Sequence, residues 1–180
     1  MRNLSIAGQS VLETERLLLR RPDDGDVDGI IAKAGDWEVA RRLGRVPHPY
    51  GASDARFFLD TIVVNEWVWA VTWKANGEFI GTVGLTPDPH KRSAELGYWI
   101  ARSHWGIGIA TEAARAVVDH GFQVLGFDFL TSGHFVDNPA SGRVLGKLGF
   151  VEIGRAERPC LASGTKRAAI ELRLQPVAAG

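Results

Sequence analysis

The stretch Tyr98-Trp99-Ile100-Ala101-Arg102-Ser103-His104-Trp105-Gly106-Ile107-Gly108-Ile109-Ala110-Thr111-Glu112-Ala113 joins an apolar, strand-like run to an amphipathic helical pattern. Gly106 and Gly108 stand between the two. A glycine turn that leads into a helix presents its backbone N–H groups to a ligand, and the helix start carries partial positive charge. We therefore predict a phosphate cradle here, with the rest of the chain placing it opposite a second substrate.

The composition is typical of one globular domain. The chain has 180 residues, of which 45% are hydrophobic and 23% charged, which suits a single domain with its own core. We place the domain at residues 11–175 and expect flexible termini at 1–10 and 176–180. Lys plus Arg equal Asp plus Glu at 21 each, so the net charge favours neither nucleic-acid nor membrane partners.

The sequence carries no evident targeting or metal-binding pattern. Its start is too polar for a secretory signal, and no apolar run approaches the roughly 18 residues that cross a bilayer. The single cysteine, Cys160, excludes an internal disulfide and is compatible with a reducing cytosol. The five histidines do not have the sequence spacing of metal ligands, so we expect no metal site. The single cysteine and the lack of a targeting signal lead us to expect a cytoplasmic protein.

Runs rich in β-branched and aromatic residues, separated by turn signals, predict seven strands. They fall at residues 13–21, 66–73, 79–85, 93–100, 127–136, 150–155 and 165–174. An Asn-Gly turn at Asn76 and Gly77 joins the second strand to the third and predicts that they pair antiparallel.

Apolar residues at helical spacing predict helices between these strands. A short helix is expected at 37–43, and a longer one begins with Ser53 as its N-cap and buries Phe57. One helix follows the glycine turn. Another has Asn138 as its N-cap and ends at Gly149.

This order of elements indicates an α+β domain. We expect a mixed, mostly antiparallel seven-stranded sheet flanked by helices. The strand–helix–strand unit at 93–136 is the one expected parallel crossover, with a right-handed connection.

Several blocks resemble a known family. Trp105-Gly106-Ile107-Gly108-Ile109-Ala110 resembles the pyrophosphate loop of the GCN5-related N-acetyltransferases (GNAT). Residues 14–20, 46–50, 95–100, 106–113 and 138–150 resemble blocks of its RimJ/RimL-type branch, in order and across nearly the whole chain. The resemblance implies a GNAT-like sheet with a splay between strands 4 and 5, and acetyl-CoA as co-substrate.

The resemblance also implies which residues contact the coenzyme. The pyrophosphate would lie on the glycine loop, and the pantetheine arm would pair with the end of the fourth strand like an added strand. The expected contacts are Trp99, Ile100, Ala101, Trp105, Gly106, Ile107, Gly108, Ile109, Ala110, Thr111, Asn138, Ser141 and Arg143. Trp105 and Ile107 stand where the family has basic or polar residues. Backbone amides, rather than basic side chains, must therefore hold the pyrophosphate.

Two residues are candidates for the chemistry of acetyl transfer. The resemblance implies that Ser141 protonates the departing thiolate, which is already a fair leaving group because a thiol has a pKa near 8.5. Glu95 is the candidate general base, acting through a water. A base matters more for a lysine acceptor than for an α-amine, because deprotonation at pH 7 costs about 4.6 kcal/mol for the first and about 1 kcal/mol for the second.

The acceptor pocket should lie between the first helices, the 46–50 loop and the second to fourth strands. Trp37, Tyr50 and Trp69 are its candidate walls. Strand alternation places Trp69 in an aromatic stripe with the other large residues of its strand, so part of that stripe could serve the core instead.

The leading hypothesis is an N-acetyltransferase that transfers acetyl directly to a primary amine, on a protein or peptide N-terminus or on a small molecule. Two alternatives stay open at this point: a non-catalytic acyl-CoA-binding or sensing domain, and a transferase of a longer acyl group. Because dimers are frequent in the family, the resemblance makes a homodimer one of the states to expect.

Overall fold

The computed structural model describes residues 6–176; of the termini predicted to be flexible, 1–10 and 176–180, residues 1–5 and 177–180 lie outside the described residues. The strands are β1 (Leu12–Glu13), β2 (Leu17–Arg20), β3 (Trp67–Trp73), β4 (Phe79–Pro87), β5 (Ser93–Ile100), β6 (Phe129–Phe135), β7 (Val151–Cys160) and β8 (Thr165–Leu174). The α-helices are α1 (Val27–Ala34), α2 (Trp37–Ala40), α3 (Ala52–Phe57), α4 (Val63–Asn65), α5 (Ile109–Gln123) and α6 (Pro139–Leu148). No helix within this described range is long and apolar enough to cross a membrane.

Within residues 6–176 the sheet has eight strands, in the order β1-β2-β3-β4-β5-β6-β8-β7, so the prediction of seven was wrong. The extra strand arises because the predicted first strand reverses at residues 14–16 and pairs with itself. Thr14 closes this turn: its N–H donates to the Leu17 carbonyl, and its Oγ1 accepts from the Leu17 N–H, both at 3.0 Å. The mixed, mostly antiparallel α+β architecture is confirmed, with β5 and β6 as the parallel pair.

The last two strands form a longer hairpin than predicted. β7 pairs with β8 as far as Cys160 opposite Thr165, although Pro159 had suggested a loop there. β7 is the last strand in the sheet order, and proline is tolerated on an edge strand because its missing N–H interrupts no ladder on the outer side.

Helices cover the two faces of the sheet, and each face carries an apolar cluster beneath them. On the first face, α5 and α6 pack on a core that includes the fully buried Trp69 together with Val117, Leu145 and their neighbours. On the second face, α1, α3 and α4 pack on Val68 and Ala70 of β3. Alternation along β3 therefore sends neighbouring residues to opposite layers.

The third helix begins earlier than predicted. Its N-cap is Gly51 rather than Ser53, and Asp54 accepts the Gly51 N–H at 2.8 Å. Phe57, predicted to be buried, is 59% exposed, because this segment packs on the core through Ala55 and Leu59 instead. A π-helical turn at Phe58–Ile62 then rotates the face that the chain presents to the core. The buried positions of this region are Ala55, Leu59 and Val63.

Part of the segment predicted to be a flexible leader packs on the sheet. Ile6–Gly8 forms a short 3₁₀ turn. Gln9 Nε2 donates to the Val68 carbonyl at 2.7 Å, and Trp69 Nε1 donates to the Ser10 carbonyl at 2.8 Å. Residues 6–10 are therefore part of the folded domain.

Candidate active site

The parallel strands β5 and β6 separate soon after they pair. Their register runs from Ser93 opposite Phe129 to Glu95 opposite Thr131. One residue further, the Ser132 hydroxyl donates to the Leu96 carbonyl at 2.9 Å and closes the vertex. The remainder of β5 stays paired with β4. The predicted splay is present and lies between β5 and β6, because the added first strand shifts the numbering by one.

Backbone groups of β5 point alternately toward β4 and toward this splay. The Ala101 N–H donates to the Ile80 carbonyl at 2.8 Å, so the odd-numbered residues face β4. The Ile100 carbonyl faces the splay, where it accepts the Trp105 indole N–H at 2.7 Å. Tyr98, two residues earlier, therefore presents its own N–H and C=O to the splay.

This alternation corrects part of the predicted pantetheine contact. Of the three residues expected there, Ile100 directs its backbone toward the splay, whereas Trp99 and Ala101 direct theirs toward β4. The Trp99 ring packs against Phe79 on the second face, with ring centroids 5.8 Å apart. Tyr98, whose backbone also faces the splay, was not among the predicted contacts, although counting alternate residues back from Ile100 points to it. Ala101 instead lines an open hollow of about 510 Å³, together with Ala32, Lys33, Asp36, Arg102 and Ser103.

The glycine loop has the backbone geometry that its sequence predicts. Gly106 and Gly108 have φ of +78° and +84°, in the left-handed region that favours glycine, and Gly108 is the N-cap of α5. Trp105 and Ile107 remain on the surface of the loop, 39% and 50% exposed. Ile109 is buried and anchors the helix start in the core. The predicted pyrophosphate contacts therefore lie in the glycine loop, up to Gly108, and in the first turn of α5, from Ile109 to Thr111.

A basic side chain with no predicted role reaches this loop from the start of β2. Arg16 donates from Nη1 to the Ile107 carbonyl at 3.0 Å and from Nε to Glu112 at 2.7 Å. The Thr14 hydroxyl and the Arg16 backbone N–H also donate to Glu112, at 2.5 and 2.9 Å. Burial opposes ionisation of Glu112, but these hydrogen bonds outweigh it and hold its pKa below the usual value.

Ser141 lies in the first turn of α6, beneath the splay. Asn138 caps this helix as predicted, with its side chain accepting the Ser141 N–H at 3.4 Å. The Tyr98 hydroxyl lies 2.8 Å from Ser141 Oγ and 3.2 Å from the Ser141 carbonyl. Burial raises the pKa of Tyr98 to about 12, so this hydroxyl stays protonated at neutral pH. Arg143 is exposed on the same turn, and its contact with a coenzyme phosphate stays a prediction.

Glu95 stands at the end of the paired part of β5, but its carboxylate is engaged. Arg158 of β7 donates from Nη1 and Nη2 to the two Glu95 oxygens, at 2.6 and 3.2 Å. The same guanidinium donates twice to Glu171 of β8, at 2.6 Å each. It crosses β6 above Gly133, where a Cβ would come within 2.9 Å of it. The hydrogen bonds to Glu171 and Glu95 outweigh burial and raise the pKa of Arg158, which therefore remains a cation.

A second charged group lies beside this triad on the same face of the sheet. The Glu66 carboxylate, 14% exposed, accepts from the Thr86 hydroxyl at 2.6 Å and from Arg45 at 2.8 Å. Thr86 is the β4 partner of Glu95, so the two groups are neighbours. A Cβ on Gly97 would meet nothing within 4 Å, so the floor beyond Glu95 is open. These groups outline a candidate acceptor cleft, in which Glu95 is the one residue predicted from the sequence.

The three predicted pocket aromatics separate into different environments. Trp37 is 43% exposed and packs edge-on against His48, with centroids 5.1 Å apart. Tyr50 is half-buried, and burial together with Asp54 raises its pKa to about 12. Trp69 is fully buried on the face covered by α5. Its prediction as a pocket wall is therefore corrected to a core role, whereas Trp37 and Tyr50 remain candidates.

The geometry of the glycine loop and of the splay fits acetyl-CoA. The left-handed glycine loop suits a pyrophosphate, and the Tyr98 backbone groups that face the splay suit the amides of pantetheine. Among residues 6–176, no group of three or more His, Cys, Asp or Glu side chains could hold a metal ion.

Known proteins share both the sequence pattern and the fold. Residues 16–151 match the acetyltransferase (GNAT) domain family. YoaA, an uncharacterized N-acetyltransferase of Bacillus subtilis, is 34% identical over 161 residues, which cover 86% of this chain and 90% of YoaA. The ribosomal-protein-serine acetyltransferase of Escherichia coli is 35% identical over 75 residues, 41% of this chain and 42% of its own.

A solved structure has the same fold at low sequence identity. The structure of RimL, a ribosomal L7/L12 alpha-N-protein acetyltransferase in complex with coenzyme A, superposes with a TM-score of 0.80 at 18% identity. The match covers 92% of this chain and 98% of RimL. The fold and the site thus define an acyl-CoA-dependent N-acetyltransferase. The chain belongs to the GNAT acetyltransferase family, in its RimJ/RimL-like branch.

Proposed function

We propose that this enzyme transfers acetyl from acetyl-CoA directly to an α-amine, at a peptide or protein N-terminus or on a small molecule. The observation that carries the proposal is the pairing of Glu95 with Arg158, at 2.6 and 3.2 Å. A carboxylate that already accepts two hydrogen bonds from one guanidinium has fewer lone pairs free to take a substrate proton. The cleft therefore suits an amine that needs little help to become neutral.

The ordinary pKa values of amines support this choice of acceptor. An α-amine has a pKa near 7.8, so about 14% of it is neutral at pH 7, and deprotonation costs about 1 kcal/mol. A lysine amine has a pKa near 10.4, and the same step costs about 4.6 kcal/mol. In this proposal Glu95 attracts and orients the ammonium form, and water removes its proton.

The transfer needs the chain's residues mainly for orientation and for the leaving group. Bound acetyl-CoA supplies the thioester carbon that the neutral amine attacks, so a C–N bond forms and the C–S bond breaks. Ser141 donates a hydrogen bond to the departing sulfur. The Tyr98 hydroxyl lies 2.8 Å from Ser141 Oγ, at a distance where either oxygen can donate. In this proposal Tyr98 is the donor, so that the serine proton points at the sulfur. The proton lost by nitrogen balances the one that the thiolate takes up from solvent.

A relative supports a protein acceptor within this class. The E. coli protein that shares 35% identity over 75 residues is a ribosomal-protein-serine acetyltransferase. An N-terminal serine of a protein is one such α-amine, so ribosomal proteins belong in the first panel of acceptors.

A thiol-release assay at pH 7 tests the acceptor class. We expect peptides with a free N-terminus and acetylated lysines to react at least about 100-fold faster than matched N-acetylated peptides with one free lysine, from the roughly 3.6 kcal/mol difference in deprotonation cost. Glu95→Gln should raise the acceptor KM more than it lowers kcat. Comparable rates on the blocked lysine peptide would contradict the proposal, and so would a 100-fold loss of kcat in Glu95→Gln.

The pair Tyr98 and Ser141 gives a second prediction. Ser141→Ala should lower kcat about 10- to 100-fold, and Tyr98→Phe about 3- to 10-fold, because each removes one hydrogen bond from the chain that ends at the sulfur. In the double variant, Tyr98→Phe should not lower kcat further, because Tyr98 acts through the serine hydroxyl that Ser141→Ala has already removed. The KM for acetyl-CoA should stay near the wild-type value in all three.

Thr72→Val is the matched control for these variants. It removes a buried hydroxyl that donates to the Leu18 carbonyl at 2.8 Å, at a place outside the proposed site. It should lower stability without changing kcat. If the losses of Ser141→Ala and Tyr98→Phe multiply in the double variant, Tyr98 acts independently of Ser141 and this part of the mechanism is wrong.

A further inference from the structure

We propose that Arg16 is a positioning residue for pyrophosphate binding: anchored by Glu112, it holds the Ile107–Gly108 peptide so that the Gly108 N–H faces the phosphates. The inference rests on the binding of acetyl-CoA that the proposed function requires. It assigns a task to a side chain that lies 91 residues from the loop in sequence.

The first step is the direction of one peptide group. Arg16 Nη1 donates to the Ile107 carbonyl at 3.0 Å, so that carbonyl points toward Arg16. A trans peptide is planar, and its C=O and N–H point in opposite directions. The Gly108 N–H must therefore point away from Arg16. Glycine conformations make such a peptide easy to flip, because φ of both signs is accessible to Gly106 and Gly108.

The second step is the anchor behind Arg16. Glu112 is 17% exposed and receives three hydrogen bonds from the turn between β1 and β2, from the Thr14 hydroxyl and from the Nε and backbone N–H of Arg16. These contacts fix the guanidinium from one side while Nη1 holds the loop from the other. Arg16 Nη2 has no hydrogen-bond partner among the described residues and lies 3.4 Å from the position of a Cβ on Gly108.

The third step is charge. The side chains of the loop itself, Trp105 and Ile107, are uncharged, so its hold on an anion depends on the backbone N–H groups and the start of α5. A loop of this kind loses its affinity when one peptide turns its carbonyl toward the ligand. Arg16 opposes that rotation through its hydrogen bond to the Ile107 carbonyl, while Glu112 balances its charge.

Calorimetric binding of acetyl-CoA to Arg16→Ala and Arg16→Lys tests the inference. We expect Kd to rise about tenfold or more in Arg16→Ala. In Arg16→Lys it should rise about threefold, since one ammonium cannot span Glu112 and the Ile107 carbonyl as a guanidinium does. S-acetylpantetheine, which has no phosphate, should bind each variant within twofold of wild type in an NMR titration.

Arg115→Ala is the control, because Arg115 lies on α5 and donates to the Lys147 carbonyl at 2.8 Å, away from the loop. Its Kd for acetyl-CoA should not change. Equal weakening of acetyl-CoA and S-acetylpantetheine would assign Arg16 a general structural role and overturn the inference. An unchanged Kd in Arg16→Ala would also overturn it, whereas failure of the wild type to bind acetyl-CoA would overturn the proposed function instead.

Discussion

Replacing Gly108 with valine is expected to weaken acetyl-CoA binding by about 30- to 150-fold. Gly108 is the N-cap of α5 and has φ of +84°, a conformation that is rare for any L-residue and rarest for a β-branched one. Holding valine there costs about 2–3 kcal/mol, and each 1.4 kcal/mol changes affinity about tenfold. The chain would relax by moving the loop, which turns its N–H groups away from the pyrophosphate.

Isothermal titration calorimetry with acetyl-CoA measures this loss, and Gly146→Ala is the matched control. Gly146 lies inside α6, where an added Cβ meets nothing within 4 Å, so alanine should leave Kd unchanged and stabilise the fold by about 0.5–1 kcal/mol. Binding by Gly108→Val within threefold of wild type would show that the pyrophosphate lies elsewhere.

The largest effect on stability is expected from Trp69→Ala, at about 3–5 kcal/mol of lost unfolding free energy. Trp69 is fully buried, packs edge-on against His120 with centroids 5.5 Å apart, and donates to the Ser10 carbonyl at 2.8 Å. Truncation leaves a cavity beneath α5 and removes one of the hydrogen bonds that hold residues 6–10 on the sheet. At roughly 2–4 °C per kcal/mol for a chain of this size, the midpoint should fall by about 6–20 °C.

Urea and thermal unfolding measure this change, with Trp37→Ala as the comparison. Trp37 is 43% exposed, so its truncation should cost less than about 1 kcal/mol. Similar losses in the two variants would contradict the assignment of Trp69 to the core and would restore it as a candidate for the cleft.

Local features of the site could be predicted from the sequence because they depend on neighbouring residues. Gly108 takes a backbone conformation that other residues avoid, so a glycine pair before a helical pattern signals the loop. Asn138 caps α6, which begins at Pro139, and Gly149 ends this helix with φ of +93°, each through contacts within a few residues. The same rules failed at Ser53, because glycine and an aspartate three residues later cap α3 equally well.

Features that depend on distant contacts could not be predicted in this way. The leucines of β1 and β2 look like one strand, because alternation does not show the turn that Thr14 and Leu17 close. Trp69 shared the pattern of a pocket wall and of a core residue, and only the packing of α5 over its face separates the two. The engagement of Glu95 by Arg158 joins residues 63 positions apart.

By itself, the sequence determined the family, the glycine loop at the start of α5 and the capped start of α6, since each depends on local backbone geometry. Only the tertiary structure decided which groups surround that loop and the splay. It brought Arg16 to the Ile107 carbonyl across 91 residues and Tyr98 to Ser141 across 43. The physical reason is that a hydrogen bond between distant elements depends on how the sheet and its helices pack. The spacing of residues along the sequence does not reveal that packing.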